Sequence, residues 1–110
     1  MTRVLAYVPD LMDRSKVAAA APGATFVTRP DGLAAAAADA GAGTDADLVV
    51  VVDLTRAGVL EVLPALAGHG RLLGFANHTA RDVMDSARAA GCEQVLARSA
   101  FFSRLEELLG

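Results

Sequence analysis

The sequence predicts a three-layer α/β domain, a five-stranded parallel sheet with helices packed on both faces. Three observations lead there. Short aliphatic runs alternate five times with helix-patterned segments, and the connections between them are short, which requires right-handed crossovers. Residues 48–52 read Leu-Val-Val-Val-Val, an unbroken apolar run suited to a central strand covered on both sides. The length of 110 residues suits one hydrophobic core, so residues 1–110 are expected to form a single domain.

The elements follow in order. Residues 4–8 form a short apolar run ended by Pro9 and Asp10, a buried first strand. Asp10 is placed to cap a helix over 11–21, which Pro22-Gly23 stops. The second strand is read at 25–28. Arg29-Pro30-Asp31 then opens a helix running through the alanines at 34–38, since alanine is the best helix former. Residues 41–47, rich in Gly, Ala and Asp, are the one linker-like segment. The third strand, 48–52, delivers Asp53 at its end. A helix is expected over 56–67, kinked or divided by Pro64, which lacks a donor.

Residues 71–76 read as the fourth strand, interrupted by Gly74. Thr79 and Asp82 resemble a capping box for the helix that Gly91 stops. The fifth strand covers 93–97. Ser99 is expected to cap the last helix, where Phe101, Leu105 and Leu108 share one face. The strand order this pattern favours is 2-1-3-4-5, the flavodoxin-like arrangement, with its topological switch point between the first and third strands.

Composition narrows the function. A net charge of −3 argues against a nucleic-acid partner, which needs a basic stripe. The first apolar run is too short for a signal peptide or a spanning helix, so no membrane association is expected and cytoplasm is the default location. The single Cys92 has no second cysteine to bridge and no His/Cys cluster around it for zinc. Gly68-His69-Gly70 reads as a turn at the far edge of the sheet. Gly-rich phosphate loops of the dinucleotide or nucleoside triphosphate kind do not follow any strand.

In a doubly wound sheet the residues just past each strand gather at one edge. Here they are Asp10, Asp53, Asn77, His78, Arg98 and Ser99, the natural site candidates on an apolar chain. Asp53 stands out, because a carboxylate ending a run of valines needs a partner. Arg98 is a candidate partner for it. Asp10 and Ser99 also serve as helix caps.

Residues 47–54, Asp-Leu-Val-Val-Val-Val-Asp-Leu, and residues 89–98, Ala-Ala-Gly-Cys-Glu-Gln-Val-Leu-Ala-Arg, resemble the receiver domain of bacterial two-component response regulators. The resemblance covers nearly the whole chain and puts Asp53 where the family carries its phospho-accepting aspartate. It implies a magnesium ion held by that carboxylate and an acidic pair after the first strand, with a Thr or Ser and a Lys on the phosphoryl oxygens. The chain departs from this pattern. Val8 and Pro9 stand at the acidic pair, Ala76 at the Thr/Ser, Arg98 at the Lys and Val95 at the aromatic residue of the fifth strand. Magnesium is therefore not expected to bind tightly, no other cofactor is implied, and the chain reads as a pseudo-receiver.

Three functions compete. The leading one is signal transduction by protein contact or self-association, through a face of the final helix carrying Phe101 and Phe102. The second is small-molecule or anion binding by Asn77, His78, Arg98 and the start of the last helix. The third is a small metal-dependent or hydrolytic enzyme using Asp53, His78 and Ser99 or Asp10. No catalytic motif supports it, so no enzymatic activity is expected.

Overall fold

The computed structural model describes residues 2–41, 47–66 and 68–109. Five strands, β1 (Thr2–Tyr7), β2 (Thr25–Phe26), β3 (Asp47–Asp53), β4 (Arg71–Ala76) and β5 (Gln94–Ala97), pair in parallel in the order β2-β1-β3-β4-β5. The helices are α1 (Leu11–Ala20), α2 (Leu33–Gly41), α3 (Val59–Leu66), α4 (Arg81–Ala89), α5 (Arg98–Ser103) and α6 (Leu105–Leu109), with a 3₁₀ turn at Pro30–Gly32 before α2. The predicted order and layering are present.

Strand alternation splits the core into two layers. Val50 and Val52 point towards α2, α3 and α4, against Leu33, Ala37, Leu63 and Ala87. Val49 and Val51 point towards α1, α5 and α6, against Val17, Phe101, Leu105 and Leu108. Both layers of β3 are buried, as an all-aliphatic run requires. Each large side chain buried here contributes about 1.5–3 kcal/mol relative to exposure.

Several boundaries differ from expectation. The second strand is only Thr25–Phe26, because β2 sits at the sheet edge and pairs with β1 alone. The first strand starts earlier and ends at Tyr7, and β3 extends to include Asp53, whose backbone stays in register with Phe75 of β4. The helix read at 56–67 is shorter, Val59–Leu66, while Ala67 lies outside the described residues. Pro64 does not divide it: Pro64 faces solvent, and the buried Val59, Leu63 and Leu66 hold the helix against the sheet. Of the linker read at 41–47, Gly41 ends α2, Asp47 opens β3, and 42–46 lie outside the described residues.

The helix caps also need correction. Thr79 does not cap α4; Ala80 holds the cap position with no side-chain bond. Ser99 does not cap the last helix, because α5 starts immediately after β5 and Ala97 is at its cap position. That helix is not continuous either: it breaks at Arg104, between α5 and α6, yet Phe101, Leu105 and Leu108 all remain buried.

Candidate functional site

Asp53 is built into the end of β3. It shares the parity of Val49 and Val51, so its carboxylate emerges on the layer of α1 and α5. The group is nearly inaccessible, and its two oxygens are taken by the residues that follow. Oδ1 accepts from the Thr55 amide at 3.1 Å and from the Thr55 hydroxyl at 2.7 Å. Oδ2 accepts from Arg56 Nε at 3.4 Å. The partner of Asp53 is thus Arg56, not Arg98.

Arg98 instead reaches α1. Its Nη2 donates to Asp13 Oδ1, closing an ion pair between residues 85 positions apart in the chain. The Asp13 side chain is 1% exposed and that of Arg98 41%. Asp13 Oδ2 has no hydrogen-bond partner. The guanidinium lies 5.8 Å from the ring centroid of Phe75 and 5.4 Å from that of Phe102, within cation–π range of both. Its pKa is pushed further up, first by the bond to Asp13 and also by the charges of Asp13, Asp53 and Asp10.

Asp10 is the helix cap that the sequence suggests. Its Oδ1 accepts from the amides of Met12 and Asp13, both at 3.0 Å. The Asp13 amide holds its carboxyl below the usual 3.8, helped by the Met12 amide and by Arg98 and Arg56, and opposed by desolvation.

The other candidates stand apart. Asn77 and His78 lie exposed after β4, where His78 shares a shallow surface pocket of about 330 Å³ with Arg81, Met84, Asp85 and Arg88. Ser99 is exposed on the first turn of α5. Among the described residues no hydrogen bond links Asp53, His78 and Ser99, so the structure does not assemble that triad. Arg98 is committed to Asp13 and does not join Asn77 and His78 around an anion. Cys92 is buried, and burial pushes its thiol up to about 11, so it stays protonated near neutral pH.

Sequence reading missed Asp13, Thr55 and Arg56. Asp13 carries a signal that could have found it. It lies one helical turn before Val17, on the buried face of α1, where a lone carboxylate demands a cation.

Among solved structures, the chain is similar to a response regulator from Thermotoga maritima. The two superpose with a TM-score of 0.67 at 11% sequence identity, over 99% of this chain and 98% of that one. The chain has the response-regulator receiver fold. At this identity the likeness carries the fold and no chemistry. No family model matches the sequence, and no curated protein matches it.

A receiver fold of the phosphorylated kind implies magnesium at this edge, and the residues present do not fit it. Val8 and Pro9 offer no carboxylate there, Asp10 is bonded to helix amides, and Asp53 is bonded on both oxygens. Asp13 has one oxygen on Arg98 and one without a partner. Among the described residues no group of three metal-ligating side chains comes together. A hard cation needs several free oxygen ligands, and this edge offers it one at most.

Proposed function

We propose that this chain is a receiver-fold module that acts in signal transduction by protein contact, without phosphoryl transfer at Asp53. One observation carries the reading: both oxygens of Asp53 are engaged by its own chain, through Thr55 and Arg56. A nucleophilic carboxylate must present a free oxygen to the incoming phosphorus in line with the leaving group. Here that oxygen is hydrogen-bonded and nearly inaccessible.

Such a module works in the cytoplasm, on a protein partner or on a second copy of itself. The surface differs from the one expected. Phe101 is fully buried, stacked on Phe75 at 4.8 Å between centroids, and Phe102 packs edge-on against both rings. These rings complete the core. Among the described residues, the large apolar side chains that stand in solvent are instead Leu11 and Met12, 76% and 73% exposed, on the first turn of α1 beside Asp10. No helix among the described residues is long and apolar enough to cross a membrane.

The test is intact-mass measurement after incubation with a small phosphodonor and magnesium. The expected result is an unmodified chain. Addition of one phosphoryl group, lost in Asp53→Asn, would overturn the reading.

A further inference from the structure

We propose that the partner is a second copy of this chain, docked across a two-fold axis so that Leu11 and Met12 of each copy seat in the groove beside α1 of the other. This deepens the reading above, that the module acts by protein contact, and rests on it.

The middle of the outer face of α1 carries no charged side chain. Helical spacing puts Leu11, Ser15 and Ala19 in one row with Met12 beside them, and all four are exposed. Ser15 turns its hydroxyl onto the Leu11 carbonyl at 2.9 Å, so its proton is already spent. The two cations flanking the row are drawn off it onto aromatic rings. Arg14 lies 4.6 Å from the ring centroid of Phe26, and Lys16 lies 5.2 Å from that of Phe102. What remains is apolar bulk at the start of the helix and alanine at its end. Covering Leu11 and Met12 contributes up to about 1.5–3 kcal/mol for each.

A groove lies where the bulk is missing. It holds about 590 Å³ and is lined by Ala19, Ala20 and Phe102, with Lys16 on the α1 wall and Glu106 and Glu107 on the α6 wall. Met12 stands one turn before Lys16, so it lies on the same flank of α1 as the groove and about 10–12 Å from its alanines along the axis. A two-fold axis perpendicular to α1 reverses the helix and keeps its flanks. Met12 of each copy then arrives over the groove of the other. One operation fills both grooves, which is the self-complementarity an isologous contact requires. Charge agrees with it. The same operation brings Lys16 of each copy to the flank that carries Glu106 and Glu107 of the other. A second copy thus accounts for both the exposed bulk and the groove with one surface. A contact made by one helix and a groove rim belongs to the small class, below about 1,200 Å² in total, so the dimer is weak and forms at high protein concentration.

The test uses the full chain. Sedimentation equilibrium at rising concentration is expected to take the wild type from monomer to dimer. Met12→Glu is expected to weaken the dimer about tenfold or more, because it sets a carboxylate against Glu106 and Glu107 of the other copy. Its fold is expected to hold, since Met12 is 73% exposed and a carboxylate suits the first turn of a helix; circular dichroism checks this. A cross-link tests the geometry without a charge change. Under mild oxidation, an equal mixture of Met12→Cys and Ala19→Cys is expected to join between copies, whereas Met12→Cys alone is not; Cys92 is buried and takes no part. The proposal is overturned if the wild type stays monomeric at every concentration, or if a folded Met12→Glu dimerises as well as the wild type. It is equally overturned if Met12→Cys alone cross-links as readily as the mixture. Each of these failures leaves the surface to a different protein and the reading of Asp53 standing. Phosphoryl addition at Asp53 would remove that reading and leave the dimer untouched.

Discussion

Removing either partner of the Asp13–Arg98 pair costs stability, but the two losses are unequal. Arg98 is 41% exposed on its side chain and can turn to water when Asp13 is neutralised. Asp13, at 1%, cannot. Arg98→Ala is therefore expected to lose about 3–5 kcal/mol, the usual cost of stranding a buried charge. Asp13→Asn is expected to lose distinctly less; urea unfolding of the two variants decides it. Asp10 acts at the same turn through its charge and its cap. Its carboxyl sits below the usual 3.8 in the folded chain. A depressed carboxylate pKa contributes stability that is fully present above the ordinary value and is lost as pH falls through the folded one. The stability gap between wild type and Asp10→Asn should therefore close on acidification below about pH 4, as followed by acid titration of the melting temperature. A gap that widens instead would contradict the cap assignment.

At the scale of elements, β3 and β4 set the position of the site and are the least tolerant of added volume. Gly74 lies in β4, and a β-carbon there would come within 2.7–2.8 Å of the Leu54 side chain, itself buried. Gly74→Ala is expected to destabilise by about 1–3 kcal/mol through overpacking, measured by denaturant unfolding. It should also loosen Leu54 and Thr55, and with them the bonds that close Asp53. These elements were legible because their signals are local: four consecutive valines, a glycine stop at Gly91 with φ of 112°, an Asp at the first cap. Capping at Thr79 and Ser99 was misread for a reason that is also physical. A capping side chain needs an extended residue just ahead of the helix. Ahead of α5 that extended residue is Ala97, whose methyl side chain cannot cap, and Ser99 already lies inside the helix, because β5 ends at Ala97 and α5 begins at Arg98. That abrupt start is what sets Arg98 at the edge of the sheet.

For the whole molecule, the layered order came through in the sequence, since alternating strands and helices with short links admit few topologies. Asp53 was legible as a charge at the end of an apolar run. Its closure was not. Thr55 and Arg56 act through a local turn whose geometry leaves no pattern, and Asp13 meets Arg98 only after 85 residues of chain have folded. Long-range pairing of this kind is written in the fold, not in any window of residues. On the reading proposed above, a receiver fold whose Asp53, Asp10 and Asp13 each bond within the chain is one state, available for contact. A receiver fold with a free Asp53 is two.

The most direct measurement of this is a nitrogen–proton nuclear magnetic resonance titration of the wild-type chain with magnesium and beryllofluoride, a phosphoryl mimic that binds free carboxylates. The account predicts that the amides of Asp53, Leu54 and Thr55 and the guanidinium of Arg98 keep their shifts throughout. Saturable shifts at those groups, absent in Asp53→Asn, would contradict it.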